Sequence, residues 1–327
     1  MVNVYQRVLL TGGAGFIGSH LLAMFLAQPE LGEIVVIDSL LTGQRQNIEP
    51  FLTDSRLTFL EHDLTDIAWL TQYLANQHDQ PFSLIAHFAS PASPPRYQAY
   101  PVMTYQVNSF VTHHLAEYAS QHETRLLFAS TSEVYGDPLI SPQPESYWGN
   151  VNPNGIRSCY DEGKRLGETI CGVWQRQTGA DIRLVRIFNT YGPQMDITDG
   201  RVIPSFFQSL LTGEPLTIFG TGEQSRSFCY VDDLVSGLKS FMEHPDLAGE
   251  TINLGNPNEF TMFELAEVFE ELAGQELEKQ YSELPTDDPT HRRPDISKAK
   301  RILQWEPKVE LREGLTATMA YFRDNHA

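Results

Sequence analysis

Residues 4–18 read Val4-Tyr5-Gln6-Arg7-Val8-Leu9-Leu10-Thr11-Gly12-Gly13-Ala14-Gly15-Phe16-Ile17-Gly18. The β-rich run Val4–Leu10 ends in a glycine turn, and a helical pattern, Ser19–Gln28, follows. A second strand, Glu33–Ile37, stops at Asp38. Strand, glycine turn, helix, strand and acid come in the order that a dinucleotide site requires. Gly12 permits the tight turn, Gly15 the close approach of a pyrophosphate, and Gly18 close packing of helix on strand. The helix N-terminus then faces the phosphates, and Phe16 and Ile17 of the turn are cofactor candidates with the glycines. Asp38 is placed to accept hydrogen bonds from a ribose diol. Its carboxylate repels a 2′-phosphate and no Arg follows until Arg45, so the pattern favours NAD over NADP.

The alternation continues. Leu57–Glu61 reads as a strand, Asp66–His78 as a helix and Ser83–His87 as a fourth strand. Gly43, Asp63, Leu64, Phe88, Ala89 and Ser90 follow strands and are further cofactor candidates. Ser90–Pro101, with four prolines, reads as a loop too irregular for a core element, at a strand end where ligands sit. Val102–Gln121 is helical, Arg125–Ala129 is a fifth strand and Asp181–Ile187 a sixth. The texture then changes: a helix Val202–Leu211, a short strand Leu216–Phe219, a turn at Gly220–Gly222, and Arg226–Val231. Asp232–Glu243 and Thr251–Leu254 read as a return to the main sheet. Thr261 caps a helix reaching Ala273. Residues 282–295 read as a polar loop with Asp287, Asp288, His291, Arg292 and Arg293, and two helices close the chain. The expected fold is α/β, a Rossmann-type doubly wound parallel sheet with helices on both faces and a smaller interleaved C-terminal substrate domain. Residues 1–187, with 228–255 returning, are expected to bind the dinucleotide, and 188–327 to form mainly the substrate domain.

Tyr160 and Lys164, four residues apart at the start of a helix expected to reach about Gln177, share one helix face. An ammonium beside a phenol stabilises the phenolate, which can then move protons near neutral pH. The chain has 13 tyrosines and six lysines, so the spacing arises by chance in about one such chain in four. The surroundings must therefore carry the case. Ser130-Thr131-Ser132-Glu133 lies at the end of the fifth strand, where hydroxyls face a nicotinamide and a bound sugar. Taken singly, such hydroxyls are turn formers and such a Glu a surface acid.

A formal charge of −19 argues against a nucleic-acid partner, and an anionic substrate then needs a local basic pocket. Cys159, Cys171 and Cys229 lack metal-ligand spacing and read as small buried hydrophobes in a reducing compartment. No metal is expected. Leu21–Ala27 is too short to span a bilayer, so no membrane partner is expected. A strand starting by about Val4 leaves no room for a targeting segment, so the expected location is the cytoplasm.

Thr131, Tyr160 and Lys164 behind a G-x-x-G-x-x-G turn resemble the extended short-chain dehydrogenase/reductase superfamily. The runs HFASPASPPRY, STSEVYGDP, CYDEGKR, RIFNTYGP, YVDDLVSGL, NLGNP and RRPDISKAK are similar to those of the UDP-glucuronate decarboxylases, from about residue 8 to 325. The Ser-Pro-Ala-Ser-Pro-Pro loop, Ser-Glu after Thr131, and Arg-Arg-Pro near 292 are the more specific features. Ser39 stands where many relatives carry Asn, and Asn154 where an aliphatic residue is usual.

The resemblance implies an NAD-dependent conversion of UDP-glucuronate to UDP-xylose and CO2 through a 4-keto sugar. Tyr160 removes the C4 hydroxyl proton, Thr131 bonds the same oxygen, and Lys164 holds the nicotinamide ribose and keeps the Tyr160 pKa low. Glu133 is expected near the substrate carboxylate, raising its energy by repulsion and assisting proton delivery to C5. Arg292 is expected to support decarboxylation. Asn189, Arg201, Arg226 and Arg292 supply donors to the UDP-sugar, with Ser132 and Tyr97 near the sugar. Family members pack as dimers through four helices, here Val102–Gln121 and Ser158–Gln177 from each subunit. A 4,6-dehydratase would show an acid pair where this chain has Ser132-Glu133, and a 4-epimerase has no evident use for Arg292. A nucleotide sensor of the same fold would have lost Tyr160 or Lys164; this chain keeps both.

Overall fold

In a computed structural model that describes residues 5–284, 286, 287, 289 and 291–326, seven strands form one parallel sheet. They are β1 Arg7–Thr11, β2 Glu33–Asp38, β3 Leu57–Glu61, β4 Leu84–His87, β5 Arg125–Thr131, β6 Ile182–Ile187 and β7 Thr251–Leu254. Their order across the sheet is β7-β6-β5-β4-β1-β2-β3. The expected start of β1 at Val4 and the expected Asp288 of the later loop lie outside the described residues.

Side chains alternate along each buried strand, and the two faces have separate cores. Val8 and Leu10 of β1 and Ile34 and Val36 of β2 pack beneath the helices Phe16–Leu26 and Val231–Glu243. Leu9, Val35 and Ile37 point the other way, towards Ile67–Ala75, Thr112–Gln121 and Ser158–Thr178. Helices thus cover both faces, and β7 joins the sheet beside β6, as the return of the chain at 251 implied. A further core gathers Phe206, Phe207, Ile218, Phe269 and Phe322, its buried members drawn from 191–231 and 262–322. The helix Met262–Ala273 starts with a capping box between Thr261 and Glu264.

The strand order reverses between β1 and β4, where the register sets Thr11 against His87. Ligands of such sheets bind beyond the carboxyl ends at this reversal. Gly12 turns there with φ 75°, and a Cβ on it would lie 2.6 Å from the Ala89 nitrogen. A Cβ on Gly18 would lie 2.0 Å from the Gly12 carbonyl oxygen, so only glycine lets the first helix sit this close to the turn.

Three stretches differ from the sequence reading. Pro94–Ala99 is a short helix inside the expected loop, because prolines at the first helical positions lack only an N–H that would be unsatisfied anyway. His291–Arg292 is a strand paired in parallel with Ser225–Arg226, and not part of an irregular loop. The Arg226–Val231 run is likewise divided. Ser225–Ser227 pairs with Glu259–Thr261, and Cys229–Tyr230 with Thr190–Tyr191.

Helix propensity alone favours Ala over Gly by about 1 kcal/mol in a helix interior. Gly18→Ala is expected to do the opposite, destabilising the protein by about 2 kcal/mol or more through overpacking against the Gly12 carbonyl. Urea unfolding midpoints of the two proteins check this, and a stabilised variant would contradict the close approach.

Candidate active site

A cavity of about 650 Å³ opens beyond the carboxyl ends of β1, β4, β5 and β6, and a smaller one of about 80 Å³ adjoins it beyond β2. The glycine turn borders both. A Cβ on Gly15 would meet only the Gly12 oxygen, at 3.2 Å, so the space beside it stays open for a pyrophosphate. The helix Phe16–Leu26 has no acidic residue in its first turn and no side-chain cap, and Phe16, Ile17 and Gly18 line the larger cavity. Its positive end thus faces a place where anions fit.

Asp38, at the end of β2, accepts hydrogen bonds from the Ala14 and Leu40 N–H groups, each at 2.9 Å. Burial pushes its carboxyl up and these two bonds pull it back. It lines the smaller cavity with Gly43, Asp63, Leu64 and Ala89, while Phe88 and Ser90 border both. Arg45, the first Arg after Asp38, turns to Glu61 at 3.4 Å. A carboxylate at the strand end, an uncapped helix N-terminus and a glycine cradle fit NAD.

Thr131 ends β5, and its Oγ1 accepts from the Glu133 N–H at 3.2 Å. Tyr160 hydrogen-bonds Thr131. Tyr160 and Lys164 sit one turn apart on Ser158–Thr178, which approaches the sheet through glycine. A Cβ on Gly167 would lie 2.4 Å from the Phe128 ring and 2.6 Å from the Asn108 carbonyl. Lys164 Nζ donates to the Ala129 carbonyl at 2.6 Å and lies 5.9 Å from the Tyr160 ring centre.

Burial dominates and pushes the Tyr160 hydroxyl well above its ordinary value, against the Thr131 hydrogen bond and the Arg201 charge. Burial also lowers Lys164 to about 7, partly offset by Cys171 and Glu168. A lysine with that value carries only part of its charge at neutral pH, and its proton bonds a carbonyl, so its pull on Tyr160 is weak.

Glu133 follows β5 in the short helix Ser132–Tyr135. Its Oε2 accepts from Arg157 Nη2 at 2.6 Å, and its Oε1 accepts from Arg292 Nη1. Burial pushes the Glu133 carboxyl up, but the guanidiniums of Arg292 and Arg157 outweigh it and hold the group below its ordinary value. The carboxylate is thereby held ionised, and two cations flank its negative charge. Arg292 is buried, with 3% exposure, and its Nη2 also donates to the Gly136 carbonyl at 3.3 Å.

The remaining substrate candidates all line the larger cavity: Tyr97, Ser132, Asn189, Arg201 and Arg226. Tyr97 stacks on Tyr160 with ring centres 5.0 Å apart, and its buried hydroxyl has no hydrogen-bond partner among the described residues. Arg201 pairs with Asp199, and Arg226 donates to the Pro289 carbonyl at 2.6 Å. Two groups at the site were not singled out from sequence, Arg157 and Asp161. Their spacing to Lys164, seven and three residues, puts all three on one helix face and was the available signal.

Residues 8–255 match the NAD dependent epimerase/dehydratase family. The chain belongs to that family. It is 50% identical over 318 residues to UDP-glucuronic acid decarboxylase 5 of Arabidopsis thaliana, covering 97% of this chain and 89% of that one. The resemblance seen in the sequence is thereby borne out. Among solved structures, UDP-glucose 4-epimerase of Thermotoga maritima with UDP-glucose is similar with a TM-score of 0.88 at 29% identity, over 98% of this chain and 100% of that one. UDP-glucuronic acid 4-epimerase of Bacillus cereus, in complex with UDP-glucuronic acid and NAD, gives 0.86 at 28%, over 98% and 99%.

Glu133→Gln leaves two buried guanidiniums without their carboxylate and is expected to destabilise the protein by about 3 kcal/mol at pH 7. Because the folded-state pKa is depressed, this contribution is present above the ordinary glutamate pKa and lost as pH falls below it. Denaturant unfolding of both proteins across pH 3–7 measures the difference, which should shrink towards the acid end.

Proposed function

We propose that this chain is a UDP-glucuronate decarboxylase, using NAD to convert UDP-glucuronate and one proton into UDP-xylose and CO2. The observation that carries the reading is the Arg157–Glu133–Arg292 cluster in the wall of the cavity that holds Thr131, Tyr160 and Lys164. It occurs in a chain half identical to a plant UDP-glucuronic acid decarboxylase. Residues 1–187 with 228–255 would bind the dinucleotide, and 188–327 would mainly bind the UDP-sugar.

The glycine turn and Asp38 would hold NAD, which would supply a positively charged acceptor for the C4 hydride and a donor to return it. Beside that positive charge Tyr160 ionises, and its phenolate then takes the C4 hydroxyl proton while Thr131 hydrogen-bonds the same sugar oxygen. The resulting ketone is β to the C5 carboxylate, so it accepts the electron pair as CO2 leaves. Tyr160, now protonated, donates to the enolate oxygen, a proton from solvent forms the new C5–H bond, and Tyr160 returns its proton to the C4 oxygen as the ketone is reduced. Lys164 fixes the nicotinamide ribose. Glu133 holds Arg157 and Arg292 at the cavity wall, and the two guanidiniums orient the sugar carboxylate. Asn189, Arg201 and Arg226 face the UDP portion, with Ser132 and Tyr97 at the sugar.

We also assign the chain to the cytoplasm and to a homodimer. Three free cysteines suit a reducing compartment. No helix among the described residues is long and apolar enough to cross a membrane. Val102, Tyr105 and Phe110 before β5, with Leu166 and Val173 on the Tyr160 helix, are exposed apolar side chains that a four-helix interface would cover.

Incubating the purified protein with UDP-glucuronate and NAD+ should release CO2 and give UDP-xylose by NMR. UDP-galacturonate as the product would instead make it an epimerase, and a 4-keto pentose with stoichiometric NADH would mean release before reduction. Arg292→Ala should retain NAD and UDP binding within a few-fold while CO2 release falls by about 100-fold or more. Normal turnover in that variant would remove Arg292 from the decarboxylation step.

A further inference from the structure

The helix that presents Tyr160 and Lys164 carries Asp161 one turn after Arg157, on the same face. Arg157 reaches Glu133, but Asp161 remains behind the cavity wall with 7% exposure. Its Oδ1 is buried and has no hydrogen-bond partner among the described residues. An ionised carboxyl in that position lacks the donors that would stabilise it.

The charged and titratable groups around it come from four elements. Glu133 approaches from the turn after β5, Arg292 from His291–Arg292, and Tyr97 from Pro94–Ala99. Arg157, Cys159, Tyr160 and Glu162 belong to its own helix or cap it. Burial and then Glu133 push the carboxyl up, Arg157 and Arg292 pull it down, and Glu162 adds to the rise, leaving it at about 8.

We propose that Asp161 is a positioning residue that sets the charge behind the Arg157–Glu133–Arg292 cluster, so that the cavity accepts a ligand carboxylate when Asp161 carries its proton and disfavours one when it does not. Whatever else the arginines hold, ionisation of Asp161 lowers the local charge by one unit. The effect is reciprocal, because a bound carboxylate makes Asp161 hold its proton more tightly. This rests on the UDP-glucuronate reading above and adds pH-dependent selectivity for the carboxylate.

UDP-glucuronate and UDP-xylose share the UDP group and differ in the carboxylate, so titration of groups facing UDP affects both. The test measures initial rates of CO2 release with NAD+ from pH 6.5 to 9.5, with UDP-xylose as inhibitor. For the unmodified protein, KM for UDP-glucuronate should rise by about tenfold between pH 7 and 9, while Ki for UDP-xylose stays within about twofold. Asp161→Asn cannot ionise, and its KM should stay flat over the same range. A KM that rises equally in Asp161→Asn, or a rise matched by Ki, would overturn the proposal. Should that variant fail to fold, the unmodified protein still decides, because a flat KM with measurable turnover overturns this inference alone. No CO2 at any pH removes the functional reading and this one with it.

Discussion

One carboxylate shared by two guanidiniums ties the functional end of this protein together. Glu133 follows β5, Arg157 caps the helix of Tyr160 from 24 residues away, and Arg292 arrives from 159 residues away. Each partner buried alone would carry a desolvation cost of several kcal/mol. Together they use both carboxylate oxygens, and Arg292 adds a bond to the Gly136 carbonyl. The cluster forms only when the sheet, the Tyr160 helix and the C-terminal strand are all in place. It therefore makes completion of the cavity wall a condition of folding well at that end.

The second constraint is distance. Gly12 and Gly18 let the first helix begin at the sheet edge, and Gly167 lets the Tyr160 helix lie against Phe128. Closer packing excludes water from Tyr160 and Lys164, and the same exclusion moves their proton affinities. Burial raises the tyrosine and lowers the lysine, which makes both neutral forms more favourable. A tyrosine in this setting becomes a base only next to added positive charge. On the proposed reading, that ties proton removal to the presence of a cationic hydride acceptor.

Much of this was legible in the sequence because it depends on local order. The period-2 apolar strands, the glycine turn and Asp38 mark the sheet and its ligand edge, since each is fixed by residues within one βαβ unit. The return of Thr251–Leu254 to the sheet was also legible as an apolar run after a helix. The Pro94–Ala99 helix was not, because prolines mark both loops and first helical turns. The strand pairing of Arg292 was hidden for a different reason. A two-residue strand has no periodicity, and its partner at Ser225–Arg226 lies more than sixty residues earlier. The setting of Glu133 was hidden because its two arginines lie far from it in sequence. Protonation state is a property of such neighbours.

The chain carries a formal charge of −19, yet its cavity wall includes Arg96, Arg157, Arg201, Arg226 and Arg292. Acid at the surface and base in the cavity is the arrangement that an anionic ligand needs in such a protein. The choice of Arg over Lys follows from burial. Lys164, enclosed in the same wall, falls to about 7 and keeps only part of its charge. A guanidinium keeps its charge when desolvated and offers a planar fork to a carboxylate or phosphate. Arg96 and Arg201 are answered by Asp196 and Asp199, which hold them in place and moderate their field. The cationic work of the cavity therefore falls on arginines, and the single lysine is free to act as a hydrogen-bond donor whose charge can vary.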